Sequence, residues 1–203
     1  MVKERILDEM IATLKFVDAV LSDHEIDYWI TTGTLLGAVR HGGLIPWDDE
    51  VDINIRLDDY ERLGALRRVI EKAGYRLSES RGGYKIGRHN WLTAFPYVDV
   101  IIVDSRDGKL CPCFPLRPDG SPSFEVADQW PGECLPPELV YPLATVEFEG
   151  IRVSAPGRAA DAARQLYGDD AFTSVPDGGT PRFPWLDNHY FDNVAFRLGL
   201  IPG

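Results

Sequence analysis

The sequence predicts an α/β (or α+β) fold, a mixed β-sheet flanked by helices, and three observations carry that prediction. Residues 5–22 place Ile6, Met10, Leu14, Val17 and Leu21 at the three-to-four spacing of a helix with one buried stripe. Residues 48–57 alternate with period two, with Val51, Ile53, Ile55 and Leu57 on one face and Asp48, Glu50, Asp52, Asn54 and Arg56 on the other, as in a half-buried strand. Helical and strand patterns then interleave along the chain, with no internal repeat and no dividing linker, so residues 1–203 read as a single domain.

The first helix is followed by a short strand, Tyr28-Trp29-Ile30, which runs into Thr31-Thr32-Gly33-Thr34. Leu35 to Arg40 reads as a short helix broken by His41-Gly42-Gly43. After the acidic strand, Asp58 is expected to cap a helix with Glu61 at the capping-box position, Leu63, Leu66, Val69 and Ile70 facing inward and Gly74 as the stop. Strands are expected at 84–87 and 97–103, the second almost wholly apolar except for Asp99. Residues 104–142, rich in Pro and Gly, read as surface loop, a lid or substrate wall. A hairpin at 146–153 turning on Glu149-Gly150, and a helix over 156–167 ended by Gly168, complete the chain.

Charge and composition narrow the function. The 21 Lys+Arg against 32 Asp+Glu give a net charge of −11. Such an excess repels polyphosphate backbones and anionic membranes, so neither nucleic acid nor a lipid surface is an expected partner. No apolar run approaches the ~20 residues of a membrane span, and Met1-Val2-Lys3-Glu4-Arg5 leads into an amphipathic stretch instead of a signal-peptide core, so a cytoplasmic protein is expected. Three cysteines, Cys111, Cys113 and Cys134, are too few for a disulfide scaffold and suggest reduced thiols; three thiolates for zinc are the alternative, at an unusual spacing.

The chemistry is concentrated in Asp48-Asp49-Glu50-Val51-Asp52. Glu50 and Asp52 share a strand face, and a fold keeps such carboxylates together only where solvent or a divalent cation offsets their repulsion. Most acidic runs are solvated faces. Here, however, the run follows Gly33-Thr34 at a strand-to-helix turn, where free N–H groups and a hydroxyl suit a phosphate. A second strand adds Asp99, costly to bury without a cation or hydrogen bonds. Carboxylates from two strands beside a phosphate-cradling turn are parts for metal-assisted phosphoryl transfer. Arg40 and His41 are candidate phosphate contacts, and Lys85, in the strand between the acidic ones, can face a donor. Trp29, Trp47, Trp91, Trp130 and Trp185 are read mostly as core, with an aromatic wall as the other use; Asp187-Asn188-His189-Tyr190 is polar and aromatic enough for a rim.

The run from Tyr28 to Asp52, with Thr31-Thr32-Gly33-Thr34-Leu35-Leu36-Gly37-Ala38-Val39-Arg40-His41-Gly42-Gly43 at its centre, resembles the signature of the LicD/fukutin-related family, a branch of the nucleotidyltransferase-fold superfamily. Tyr97-Val98-Asp99-Val100 is similar to the superfamily's third acidic strand. Phe148-Glu149-Gly150-Ile151, Pro156 and Leu166-Tyr167-Gly168-Asp169 are similar to the family's C-terminal pattern. The resemblance implies a nucleotidyltransferase-like sheet and a transferase that uses Mg²⁺ (or Mn²⁺) to move a phospho-alcohol, such as phosphocholine or a polyol phosphate, from a CDP-linked donor to a glycan or small acceptor. The alternative is transfer of a nucleotide itself from a nucleoside triphosphate to a small molecule. By position, Glu50, Asp52 and Asp99 match the catalytic and metal carboxylates, with Asp48 as a further ligand or supporting group. Gly33 and Thr34 match the phosphate-contacting turn and Asp49 lies in the family's acidic stretch; with Arg40, His41 and Lys85, read from the residues themselves, it completes the candidate substrate contacts. Glu50 departs from the family's more usual aspartate, and its extra methylene shifts the ligand position.

Overall fold

A computed structural model of the chain describes residues 2–45, 48, 50–80, 82–88, 96–115 and 121–173. The sheet is assembled around one long strand, β5 (Tyr97–Arg106). On one side β5 pairs in parallel with β2 (Val51–Arg56), which pairs antiparallel with β1 (Tyr28–Ile30). On the other side β5 pairs antiparallel with β4 (Gly83–Arg88), and β4 with β3 (Tyr75–Ser80). The order is β1-β2-β5-β4-β3, with β6 (Lys109–Pro112) added to the end of β5. The expected mixed α/β architecture is therefore present.

One face of the sheet is core. Val51, Ile53 and Ile55 of β2 and Val98, Val100 and Ile102 of β5 are all fully buried and the intervening residues less so, with Asn54 buried as well, so the period-two pattern sets which side carries polar groups. Helix α1 (Val2–Asp23) lays Met10, Leu14, Val17 and Leu21 into that core, each such side chain contributing ~2 kcal/mol of burial. Phe16 of α1 stacks on Tyr75 at 3.9 Å, and the Tyr28 hydroxyl donates to Asp18 Oδ1 at 2.6 Å, joining α1 to both edges of the sheet.

Helix α2 (Thr32–His41) begins three residues earlier than the apolar pattern suggests and ends where Gly42, at φ 72°, donates its N–H to the Ala38 carbonyl and Gly43 N–H reaches the Gly37 carbonyl. The helix expected after Asp58 is divided: a 3-10 turn over Leu57–Asp59, then α3 (Tyr60–Ala65) and α4 (Arg67–Lys72). No side-chain cap forms at its start; Asp59 pairs instead with Arg62. The break comes at Leu66, whose N–H bonds Leu63 in a tightened turn, and the phase shift leaves Val69 exposed where an inward position was expected.

Residues 104–142 overturn the loop expectation among the described residues. β5 continues to Arg106 and turns back through Asp107 and Gly108, at φ 51° and 77°, into β6, a two-residue hairpin of the type that Asp-Gly favours. Beyond it come α5 (Glu125–Gln129), a 3-10 turn (Pro131–Glu133) and α6 (Pro137–Val140). Leu110 and Leu135 exchange both backbone hydrogen bonds, at 2.8 and 2.9 Å. Cys111 and Cys134 are the next pair along, where opposed strands approach most closely, with Cα atoms 4.2 Å apart. They form a disulfide, contrary to the expectation of three reduced thiols; this removes the thiolate set for zinc and the compositional argument for a reducing compartment. Cys113 is free and buried, and burial pushes its thiol up to about 12.

The expected hairpin is β7 (Ala144–Phe148) and β8 (Ile151–Ala155), joined by Glu149 and Gly150, both at positive φ. The backbone N–H of Ser154 donates to the Tyr28 hydroxyl at 3.3 Å, fixing β8 to β1. Helix α7 (Ala159–Tyr167) packs on α2 and ends at Gly168, followed by α8 (Asp170–Thr173). Among the described residues no helix is long and apolar enough to cross a membrane.

Candidate functional site

The registers of three strands set one polar row. Asp52 of β2 lies opposite Asp99 of β5, and Asp99 lies opposite Lys85 of β4. Directly opposed residues project from the same face, so parallel pairing of two local patterns that each present an acid brings those acids together. Glu50, two residues before Asp52, joins them. One carboxylate oxygen from each of Glu50, Asp52 and Asp99 lies within 4.8 Å of the others, and all three side chains are partly exposed.

Such a cluster is expensive. Two full charges at this separation repel by about 3 kcal/mol at an effective dielectric of 20. Burial, followed by Glu50, Asp48 and Asp99, holds the Asp52 carboxyl well above the usual carboxylate range, and the Thr32 hydroxyl opposes that shift. Lys85 supplies one counter-charge. Its Nζ donates to Asp99 Oδ2 at 2.8 Å, stands 4.0 Å from Glu50 Oε2 and lies 3.8 Å from the centre of the Tyr97 ring. Burial alone lowers the lysine's pKa, but Asp99 more than offsets this and keeps the ammonium charged. One ammonium does not balance three carboxylates, and an all-oxygen donor set of this size fits a hard divalent cation such as Mg²⁺ or Mn²⁺.

The mouth of α2 faces this row. Thr31 N–H donates to the Asp52 carbonyl at 3.1 Å, and Asp52 N–H donates to Thr34 Oγ1 at 2.9 Å. Thr34 is fully buried, so its hydroxyl is directed at β2. The hydroxyl that reaches a carboxylate belongs to Thr32, which donates to Asp52 Oδ2. Thr32 does so from φ 45°, a left-handed conformation costly for a β-branched residue. Gly33 leaves room beside it: a Cβ there would lie 2.5 Å from Asp48 Oδ2.

Helix α7 closes another side. Tyr167, its last residue, has its phenol raised well above the usual range by burial and then by the charges of Asp52, Asp48 and Glu133. Glu133 comes from the 3-10 turn beside the disulfide, and burial pushes its carboxyl up to about 7.

Of the residues singled out in the sequence, Glu50, Asp52, Asp99 and Lys85 converge, and Asp48 sits against Gly33. Arg40 and His41 occupy the last turn of α2, about 12 Å along its axis from Thr32, and do not join the row. Trp29 is buried core, edge-on to Tyr141 at 5.8 Å. Asp49, Trp47, Trp91, Trp185 and the segment 187–190 lie outside the described residues. Sequence reasoning missed Thr32, Tyr167 and Glu133. A threonine immediately before Gly33 was a visible signal for the first; Tyr167 stands in the Leu166-Tyr167-Gly168-Asp169 run that resembles the family's C-terminal pattern, which gives it no role at the site, and no local pattern marks Glu133.

Known proteins place the chain in a family. The family described as LicD/FKTN/FKRP, nucleotidyltransferase domain, matches residues 25–158. An uncharacterized protein of Rickettsia prowazekii, RP689, is 29% identical over 176 residues, which cover 86% of this chain and 60% of that protein. Human ribitol 5-phosphate transferase FKRP is 40% identical over 68 residues, covering 31% of this chain and 14% of that protein. The lipopolysaccharide cholinephosphotransferase LicD of Haemophilus influenzae is 43% identical over 49 residues, 24% of this chain and 18% of that protein. The chain thus spans 60% or less of the length of these relatives. Among solved structures, ANT(2")-Ia in complex with adenylyl-2"-tobramycin is similar at a TM-score of 0.45 and 17% identity, covering 92% of this chain and 87% of that one. With the family matched across most of its length, the chain belongs to the LicD/FKTN/FKRP family as a nucleotidyltransferase domain.

Proposed function

We propose that the chain is a divalent-metal-dependent transferase that moves a phospho-alcohol from a CDP-linked donor to a hydroxyl of a glycan or small acceptor. The observation that supports this most is the convergence of Asp52 and Asp99, on adjacent strands, and Glu50, just before β2, to within 4.8 Å. Family membership and the two named transferases among the relatives support the class of transferred group.

In this reading Glu50, Asp52 and Asp99 hold the cation, with Asp48 alongside. The bound cation supplies Lewis-acid polarisation and charge neutralisation at the donor diphosphate. Thr32 keeps the Asp52 carboxylate oriented and favours its ionised form through its hydrogen bond. Lys85 exchanges its contact with Asp99 for a donor phosphate oxygen, so that its charge remains paired throughout. The acceptor oxygen attacks the phosphorus that bears the alcohol, the anhydride bond breaks, CMP leaves, and Asp99 takes the acceptor's proton.

The test uses purified protein with Mg²⁺ or Mn²⁺, CDP-choline or CDP-ribitol, and candidate acceptors. Metal-dependent release of CMP that is lost in Asp52→Ala is expected. Release of pyrophosphate from a nucleoside triphosphate, with no CMP from CDP-linked donors, would replace this reading with nucleotidyl transfer. Protein that binds no divalent cation would refute the metal site.

A further inference from the structure

After α2 the chain doubles back along the helix it has just left. Gly42 turns it, and Gly43 N–H reaches the Gly37 carbonyl at 3.4 Å. Contact there is so close that a Cβ on Gly37 would overlap the Gly43 carbonyl oxygen and lie 3.3 Å from Ile45 N. One helical turn back, a Cβ on Gly33 would meet Asp48 Oδ2 at 2.5 Å and Ile45 Cδ1 at 3.9 Å. Gly33 and Gly37 are four residues apart and share a helix face, so Gly43, Ile45 and Asp48 all lie against that one face. The segment ends in the acidic site, delivering Asp48 and Glu50 beside Asp52.

Its other side is held by a residue from the second hairpin. Leu44 N–H donates to Glu149 Oε1 at 2.8 Å, and Glu149 N–H donates to the Gly42 carbonyl at 2.8 Å. A Cβ on Gly43 would overlap the Glu149 carboxylate, so this glycine is what admits it. Glu149 makes these contacts at φ 48°, in a two-residue turn position that normally goes to Asn, Asp or Gly. A strained residue with both its backbone and its side chain committed to one distant loop is placed for that loop. The hairpin is itself pinned to β1 through Ser154 and Tyr28, so the clamp has a rigid base.

We propose that Glu149 is a positioning residue for the acidic site: by fixing Gly42 to Leu44 against α2, it sets where Asp48 and Glu50 stand relative to Asp52 and Asp99. This rests on the metal-site reading above. Two readouts separate the ideas: Mn²⁺ binding by calorimetry, and amide hydrogen exchange of the 42–48 segment. Glu149→Asp keeps the charge but is too short to reach Leu44, and Glu149→Gln keeps the accepting oxygen. Glu149→Asp is expected to unfold cooperatively, to speed exchange at Leu44 and to weaken Mn²⁺ binding about tenfold, the scale of one charge-assisted hydrogen bond. Glu149→Gln is expected to stay within about threefold of the parent in both. Should Glu149→Asp fail to fold, Gly43→Ala displaces the same carboxylate from the other side and carries the same expectation. Unchanged exchange at Leu44, or unchanged Mn²⁺ affinity in a variant whose exchange has risen, overturns the positioning role. Absence of Mn²⁺ binding to the parent protein overturns the metal reading instead, and the exchange result then decides whether the clamp exists.

Discussion

Asp52 is held from two directions by threonines with different tasks. Thr34 accepts from its backbone N–H and fixes the strand; Thr32 donates to its carboxylate and favours the ionised form. Thr32→Ala removes only the second contact. The carboxyl then titrates higher still, protons compete harder with a cation, and Mn²⁺ binding at neutral pH is expected to weaken roughly tenfold, ~1.4 kcal/mol. Thr32→Ser, which keeps the hydroxyl, is expected to bind as the parent does; equal loss in both variants would mean the methyl group and not the hydrogen bond is what matters. Lys85 predicts an effect of opposite sign. Its ammonium occupies the same carboxylates that a metal would, so Lys85→Met is expected to bind Mn²⁺ alone a few-fold more tightly, since a partly exposed ion pair is worth up to ~1 kcal/mol, while turnover with the donor falls. A variant that loses metal affinity together with turnover would show that Lys85 organises the carboxylates instead of competing for them.

At the level of elements, α2 and its return segment behave as one unit because two glycines let backbone meet backbone. Gly37→Ala drives a Cβ into the Gly43 carbonyl, an atom with no rotamer to adjust, and is expected to lower stability by ~2–3 kcal/mol in urea titration. Gly42→Ala meets nothing within 4 Å and suffers only its positive φ, so ~1 kcal/mol is expected. Similar losses in both would mean that the close approach is relieved by backbone shift. The same contrast explains what was legible in the sequence. The alternation of 48–57 and the stripe of α1 are local, so β2, α1 and the acid-bearing face could be read directly. The Asp107-Gly108 turn was equally local, and the Pro- and Gly-rich composition around it obscured a plain hairpin signal. By contrast, the registers that align Asp52, Asp99 and Lys85, the Leu110–Leu135 bridge that pairs two cysteines, and the reach of Glu149 to Leu44 are long-range pairings, which no window on one segment contains.

On the scale of the whole molecule, the net charge of −11 includes one acidic residue that stands apart from the Glu50, Asp52 and Asp99 cluster in its titration. Glu133 sits on the 3-10 turn that the Cys111–Cys134 disulfide and the Gln165 amide, which donates to the Cys134 carbonyl at 2.8 Å, hold against α7. Burial raises its carboxyl from 4.5 to about 7. Between those values the folded state keeps a proton that the unfolded chain has lost. Its contribution to stability is therefore fully present below about pH 4.5, declines as pH rises through the window, and is gone above about pH 7. At 1.36 kcal/mol per unit the full shift would be ~3 kcal/mol, and partial contact with water reduces this to an expected ~1–2 kcal/mol. Other carboxylates titrate in the same range, so the measurement is a difference: urea midpoints of the parent and of Glu133→Gln from pH 4.5 to 7.5. The glutamine variant cannot ionise, so the parent should lose ~1–2 kcal/mol relative to it across the window and none beyond. A constant difference would mean that water reaches Glu133 freely and that the turn beside Tyr167 is open to solvent. The predicted slope would instead identify a sheltered carboxyl on the α7 side of the site that stays protonated up to about pH 7.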